Sequence, residues 1–286
     1  MKIGSKNDWI NLFRYFFTDC IFLFWYSKGR IDGKENYGDL LSFFIVEKIS
    51  KKRIITVKHP QKKIFSFFIK HYLAIGSIIR LCSKNSIVWG SGIIESNEKI
   101  LKAKFLSVRG PRTRKRLLEL GYEVPESYGD PGLLITDFVN NNVSKKYKLG
   151  IIPHYVDYDD IIRHYEDVEG IKVINLMTND IIATTLEILE CERIISSSLH
   201  GIIVSHAFGV EALWVRFSDK LGGDDVKFFD YFESVDINYN EVLNIDCYNF
   251  KRENYFELLD INNSVLLPKR EVIEKRQVEL RQSCPF

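Results

Sequence analysis

Ser196-Ser197-Ser198-Leu199-His200 is the stretch of this chain best suited to chemistry. Ile194 and Ile195 read as the end of a buried strand, and Leu199, Ile202, Ile203 and Ala207 then recur at helical spacing. A strand, a small-residue turn and a helix start make an anion site, because orphan N–H groups and the positive end of the helix point the same way. The serine hydroxyls are expected to cap that helix. His200 falls in its first turn, where an imidazole can touch a carboxylate or phosphate and exchange protons with it. The plainer alternative is a serine cap beside a half-buried histidine, and the local pattern fits both.

Other polar residues stand where strands are expected to end. Arg109 directly follows the run Phe105-Leu106-Ser107-Val108, with Arg112 three residues on. Guanidinium groups offer paired donors and stay charged, so both are candidates for a carboxylate or phosphate. The neighbouring Arg114, Lys115 and Arg116 read as a solvated helix face. His154 ends another strand, and Gly90-Ser91-Gly92 makes a small-residue turn after Ser86–Trp89. Asn36 and Asp39 flank Gly38 at a helix start, where a ligand can approach the backbone closely. Lys227 follows a glycine-acidic loop and is a further anion contact, whereas Asp130, in a Gly-Asp-Pro-Gly turn, reads as binding its own backbone.

These residues need a scaffold of strands ending near one another. Short apolar runs alternate with helical patterns along the whole chain, which predicts an α/β fold with parallel sheets. Strands are expected near residues 53–57, 86–89, 105–108, 149–152, 171–175 and 212–216, and 72–79 reads as a strand-like run with a glycine turn. Helices are expected over 38–50, 113–120, 159–165, 180–190 and 269–282. The polar stretch Asn140 to Lys148 carries no periodicity and reads as a linker. It separates two Rossmann-like lobes, 1–142 and 149–286, and ligands in such sheets bind beyond the carboxyl ends of the strands.

Composition narrows the function classes. The 286 residues carry a net charge of +2, which argues against nucleic acid as a partner. Five cysteines, odd in number and never in CxxC spacing, argue against a disulfide framework or structural zinc and fit a reducing cytoplasm. Asp157, Asp159, Asp160, Asp224 and Asp225 lack the spacing of a cation loop, so no metal is expected. There is no phosphate-binding GxxxxGK[ST] loop, complete GxGxxG, HExxH or GxSxG. Trp9 to Tyr26 is very apolar but is interrupted by Arg14 and Asp19. It reads as a core helix plus strand, with an aromatic face on a membrane surface as the alternative. Lys2, Lys6, Arg14, Lys28 and Arg30 would suit anionic lipid there.

Seven segments in order resemble the bacterial polysaccharide pyruvyl transferase family. They are Asn36–Asp39, VWGSGI from Val88, SVRGPRTR from Ser107, YGDPGLL from Tyr128, IIPHYVD from Ile151, SSSLHGIIVSHAFGV from Ser196 and KFFDYFESV from Lys227. The resemblance implies a GT-B-like arrangement of two Rossmann-type lobes around a cleft. It implies phosphoenolpyruvate as donor and co-substrate, with no other cofactor. The product would be a cyclic pyruvate ketal on two hydroxyls of a surface-polysaccharide sugar, with a lipid-linked oligosaccharide among the acceptors to consider. Carried over, Arg109 and Arg112 would hold the donor's anionic groups and His200 would transfer the proton. Many relatives have arginine two residues before this histidine; here that position is Ser198, which leaves Ser197, Ser198 and Lys227 to replace it. The expected location is the cytoplasm, at the inner face of the membrane if the acceptor is lipid-linked. A nucleotide-sugar glycosyltransferase and a non-catalytic assembly protein are the competing readings.

Overall fold

The computed structural model describes residues 6–27, 33–239, 241–246 and 252–286. The first half runs α1 (Lys6–Phe17), β1 (Cys20–Phe24), β2 (Glu35–Asn36), α2 (Tyr37–Ser50), β3 (Arg53–Thr56), α3 (Lys63–Phe67), β4 (His71–Leu73), β5 (Ser86–Trp89), β6 (Lys104–Ser107) and α4 (Pro111–Glu119). A 3-10 segment over Pro131–Asp137 follows. The second half runs β7 (Tyr147–Ile152), α5 (Tyr158–Tyr165), β8 (Ile171–Val173), β9 (Met177–Thr178), α6 (Ile181–Leu189), β10 (Cys191–Ser196), α7 (Leu199–Ala207), β11 (Glu211–Arg216), α8 (Val226–Ser234), β12 (Leu243–Asn244), α9 (Arg252–Ile261) and α10 (Arg270–Gln282).

Two parallel sheets result, ordered β3-β1-β4-β5-β6 and β12-β11-β10-β7-β8. Parallel strands covered on both faces need apolar side chains on both, which is why they read as continuous apolar runs. In β1, Ile21 and Leu23 join one core with Leu41 and Ile45 of α2 and Leu133–Ile135. Phe22 and Phe24 join another with Phe65, Val88 and Phe105. The core on the α2 side continues into Ile151, Ile194 and Leu213 of the second sheet, so α2 and the 3-10 segment are packed against both halves of the chain. A two-residue antiparallel ladder, β2 with β9, ties the start of α2 to the second half.

The tail helix does more than present charge to water. Trp89 Nε1 donates to the Leu280 carbonyl at 3.0 Å and Gln277 Nε2 to that of Leu133 at 2.8 Å, while Arg281 pairs with Asp137 at 2.7 Å. Helix α10 therefore fastens the end of the chain to first-half residues.

Several local expectations shift. In the run from Tyr72 to Ile79 the strand is shorter than expected, since β4 stops at Leu73, and the expected glycine turn lies at Gly76-Ser77. The Ser196–Ser198 run does not cap α7 by side chain. Ser196 Oγ instead lies 3.0 Å from the Ile152 and Ser198 carbonyls and from the Ser198 amide, where it locks the β10–α7 turn to β7. Residues 9–24 do contain a helix and a core strand, but much of the aromatic side of α1 is exposed rather than packed. Lys2, Lys28, Arg30 and Cys247 lie outside the described residues.

Candidate active site

A cleft of about 320 Å³ opens beyond the carboxyl ends of β4, β7, β10 and β11. Asn36 and Asp39 line it from the start of α2, Ser77 and Arg80 from the turn after β4, and His154 and Tyr155 from the end of β7. Ser198 and His200 enter from the start of α7 and Lys227 from the start of α8. Six residues expected from sequence thus meet here: Asn36, Asp39, His154, Ser198, His200 and Lys227.

His200 is set by two close approaches. Its imidazole lies against Gly38 in the first turn of α2, Nδ1 nearest: a Cβ there would be 2.6 Å from Cγ and 2.7 Å from Cε1. Only glycine admits the ring at this spot. Asn36 holds the turn by accepting from the amides of Gly38 at 3.0 Å and Asp39 at 3.4 Å. On its other side, His200 Nε2 lies 3.7 Å from Asp130 Oδ2, and neither atom has a hydrogen-bond partner among the described residues. Asp130 is fully buried, and its Oδ1 accepts from Gly132 N at 2.9 Å. One oxygen binds its own turn, as the sequence implies; the other is aimed at the histidine, which nothing local in Gly-Asp-Pro-Gly could disclose. A buried carboxylate facing one ring nitrogen fixes the orientation of the ring.

Cationic character comes from Lys227 and Arg80. Burial, and behind it the Arg109 charge, pull the Lys227 ammonium down to about 8. Lys227 has no carboxylate partner among the described residues, so it is a cation short of a counter-ion. Arg80 is half-exposed and 3.7 Å from Glu98. Sequence reading did not single it out, although the glycine turn within 72–79, followed directly by Arg80, was the available signal. At α7 the unpaired N–H groups of the first turn and the Ser198 hydroxyl add donors. Ser197 is buried and accepts from the His154 amide at 2.8 Å, so it positions His154 rather than lining the cleft.

Arg109, Arg112, Gly90 and Ser91 lie elsewhere, against expectation. The Arg109 side chain is fully buried: Nε donates to Asp230 Oδ2 at 3.0 Å, Nη1 to Ser77 Oγ at 2.7 Å and Nη2 to the Ile93 carbonyl at 2.7 Å. A guanidinium so occupied has no free face for a ligand. Asp230 also accepts from Thr113 N and Oγ1, and Gly92 and Gly110 are small because Arg109 and Asp230 pass against them. Arg112 pairs with Glu233 at 2.8 Å over the Phe229 ring. Gly90, at φ +83, leaves room for Pro131, and Ser91 Oγ donates to the Gly76 carbonyl at 2.8 Å. Arg109 and Arg112 thus tie the two halves together, Gly90 and Ser91 pack within the first, and Arg109 touches the cleft-lining Ser77.

Asp224 accepts from the amides of Ser96 and Val226, and Asp225 pairs with Arg216. Among the described residues, no group of three or more His, Cys, Asp and Glu side chains is arranged to hold a metal ion.

The chain is 29% identical over 265 residues to "Uncharacterized protein L143" of Acanthamoeba polyphaga mimivirus, an alignment that spans 88% of this chain and 90% of that protein. No solved structure matches it significantly. The family model for polysaccharide pyruvyl transferase matches residues 15–219, which contain all the cleft residues named above except Lys227, and on that match the chain belongs to the polysaccharide pyruvyl transferase family.

Proposed function

We propose that this protein transfers pyruvate from phosphoenolpyruvate onto two hydroxyls of a sugar, as a cyclic ketal, in a GT-B-like cleft between lobes 1–142 and 149–286. The observation that carries the reading is the His200 imidazole, seated on Gly38 and faced by the buried Asp130 carboxylate, in a cleft that also holds an uncompensated lysine. An acid–base group beside cations suits a donor with a carboxylate, a phosphate and a protonatable double bond.

Lys227, Arg80 and the α7 N-terminus would hold the two anionic groups. His200 gives its proton to C3 of the donor as a sugar hydroxyl adds to C2 and surrenders its own proton to the imidazole. The C2–O bond to phosphate then breaks, and the cationic groups stabilise the departing charge. The second hydroxyl closes on the oxocarbenium-like C2, and its proton leaves with the phosphate. The balance is donor plus diol giving ketal plus inorganic phosphate. Holding both hydroxyls in one site supplies the orientational part of the acceleration.

The test is phosphate release from phosphoenolpyruvate across a panel of pyranosides with free hydroxyl pairs, with the product mass checked for the ketal. Wild type should release phosphate with a matching acceptor, and His200→Ala should be slower by about 10²–10⁴-fold. Undiminished turnover in His200→Ala removes that residue from the acid role. Binding of UDP-sugars in place of phosphoenolpyruvate moves the function to glycosyl transfer.

A further inference from the structure

Helix α1 packs by one side and leaves the other bare. Leu12 and Tyr15 face the core, and a chain of rings from Tyr15 to Phe22 at 6.0 Å and Phe22 to Phe65 at 6.2 Å links α1 to α3 across the same face of the first sheet. Trp9, Phe13 and Phe16 recur at helical spacing on the solvent side, flanked by Phe17, and the Phe13 and Phe17 rings lie 4.8 Å apart. Trp9 is 56% exposed, Phe13 60%, Phe16 64% and Phe17 71%. Four large exposed aromatics on one twelve-residue helix exceed the scattered apolar exposure of ordinary surfaces. Phe67 and Phe68, at the end of α3, are exposed as well.

The charge around these rings has one dominant sign. Residues 51–70 contain seven Lys and Arg and no Asp or Glu. Arg53 and Arg14 line one hollow with Trp9, Ile10 and Phe13, and Lys84 lies 3.9 Å over the Phe67 ring. The acid in that hollow, Asp19, is paired with Lys52 at 2.7 Å. An aromatic helix face rimmed by Lys and Arg matches the boundary of an anionic bilayer, where rings enter the interface and cations meet headgroup phosphates. A second copy of the chain fits less well, since a two-fold contact through this face would bring two basic rims together. The helix lies on such a surface rather than crossing it: α1 is about 18 Å long against a hydrocarbon core of about 30 Å. Among the described residues, no helix is long and apolar enough to span.

We propose that α1, with the basic segment 51–70 and the end of α3, is a docking surface for anionic phospholipid. Trp9 provides a direct reporter, because Trp25, Trp89 and Trp214, the other tryptophans, are buried. The full-length protein is titrated with phosphatidylcholine vesicles with and without phosphatidylglycerol, and flotation is read beside tryptophan emission. The expected result is flotation and a blue shift with phosphatidylglycerol only, both weakened by salt. Phe13→Ser combined with Phe17→Ser should lower vesicle affinity at least about tenfold and leave the thermal midpoint and turnover of a soluble acceptor unchanged. Equal binding to both vesicle types overturns the anionic assignment. No binding to either, or a concentration-dependent dimer that the double variant dissolves, overturns the membrane proposal.

Discussion

Replacing Gly38 by alanine adds one methyl group to the first turn of α2, and its consequences separate catalysis from stability. The added Cβ would stand 2.6–2.7 Å from two carbons of the His200 ring, against ordinary contact at 3.4–4 Å. Nδ1 would stand nearer still, so the ring must retreat by more than about 1 Å, away from the seat that Gly38 gives it. A misplacement of that size near the reacting atoms costs on the order of 10²-fold in rate. The fold is under weaker pressure. Alanine is a better helix former than glycine by about 1 kcal/mol, which offsets part of an overpacking cost of about 1–3 kcal/mol. The expected outcome is a kcat roughly 100-fold lower, phosphoenolpyruvate affinity within a few-fold of wild type, and only a small change in thermal midpoint. Phosphate-release kinetics, calorimetry and thermal unfolding read the three quantities. Wild-type kcat in Gly38→Ala would refute the reasoning, since a crowded ring would then serve as well as a seated one.

Asp130→Asn keeps the bond from Gly132 N to Oδ1 but removes the negative charge facing His200. It should lower kcat by roughly tenfold or more and spare donor affinity. Lys227→Met should weaken phosphoenolpyruvate binding by roughly 10- to 100-fold. Because the wild-type ammonium lies near 8, anion binding at about that pH draws in a proton; calorimetry in buffers of different ionisation heat should detect the uptake in wild type and not in the variant. The same lowered value means that the unliganded protein gains stability as pH rises from about 8 towards 10.5, where the unfolded chain still binds the proton more tightly. Lys227→Met should abolish that slope in pH-dependent unfolding. Arg109→Ala leaves Asp230 buried without its partner and should cost about 3–5 kcal/mol in chemical denaturation, so a binding defect in it reports folding before it reports a ligand contact.

The strand–helix rhythm was legible because each buried parallel strand must be apolar on both faces, so 86–89, 149–152 and 212–216 stood out as runs. Helix starts at Asn36 and Asp180 were legible too, since both side chains accept from amides of the first turn. What sequence could not separate was a polar residue at a strand end that faces a ligand from one that faces another side chain. Arg109 at a strand end and Lys227 after a glycine-acidic loop both read as anion contacts, yet the carboxylate that occupies Arg109 comes from Asp230, 121 residues away. Asp130 binds its own turn through one oxygen, as read, but its second oxygen faces a histidine 70 positions on, and a turn motif carries no record of that. The glycines of the family motifs are explained in the same way, by what passes close to them: His200 at Gly38, Pro131 at Gly90 and the Arg109–Asp230 pair at Gly92 and Gly110.

The central claim is that this cleft takes phosphoenolpyruvate on Lys227 and works on it with His200. Calorimetric titration of phosphoenolpyruvate into wild type, Lys227→Met and His200→Ala tests it most directly. The account predicts saturable binding by wild type, a loss of most affinity in Lys227→Met, and affinity close to wild type in His200→Ala despite its lost turnover. Wild-type protein that ignores phosphoenolpyruvate but binds UDP or GDP would contradict it, as would a Lys227→Met variant that binds the donor as tightly as wild type.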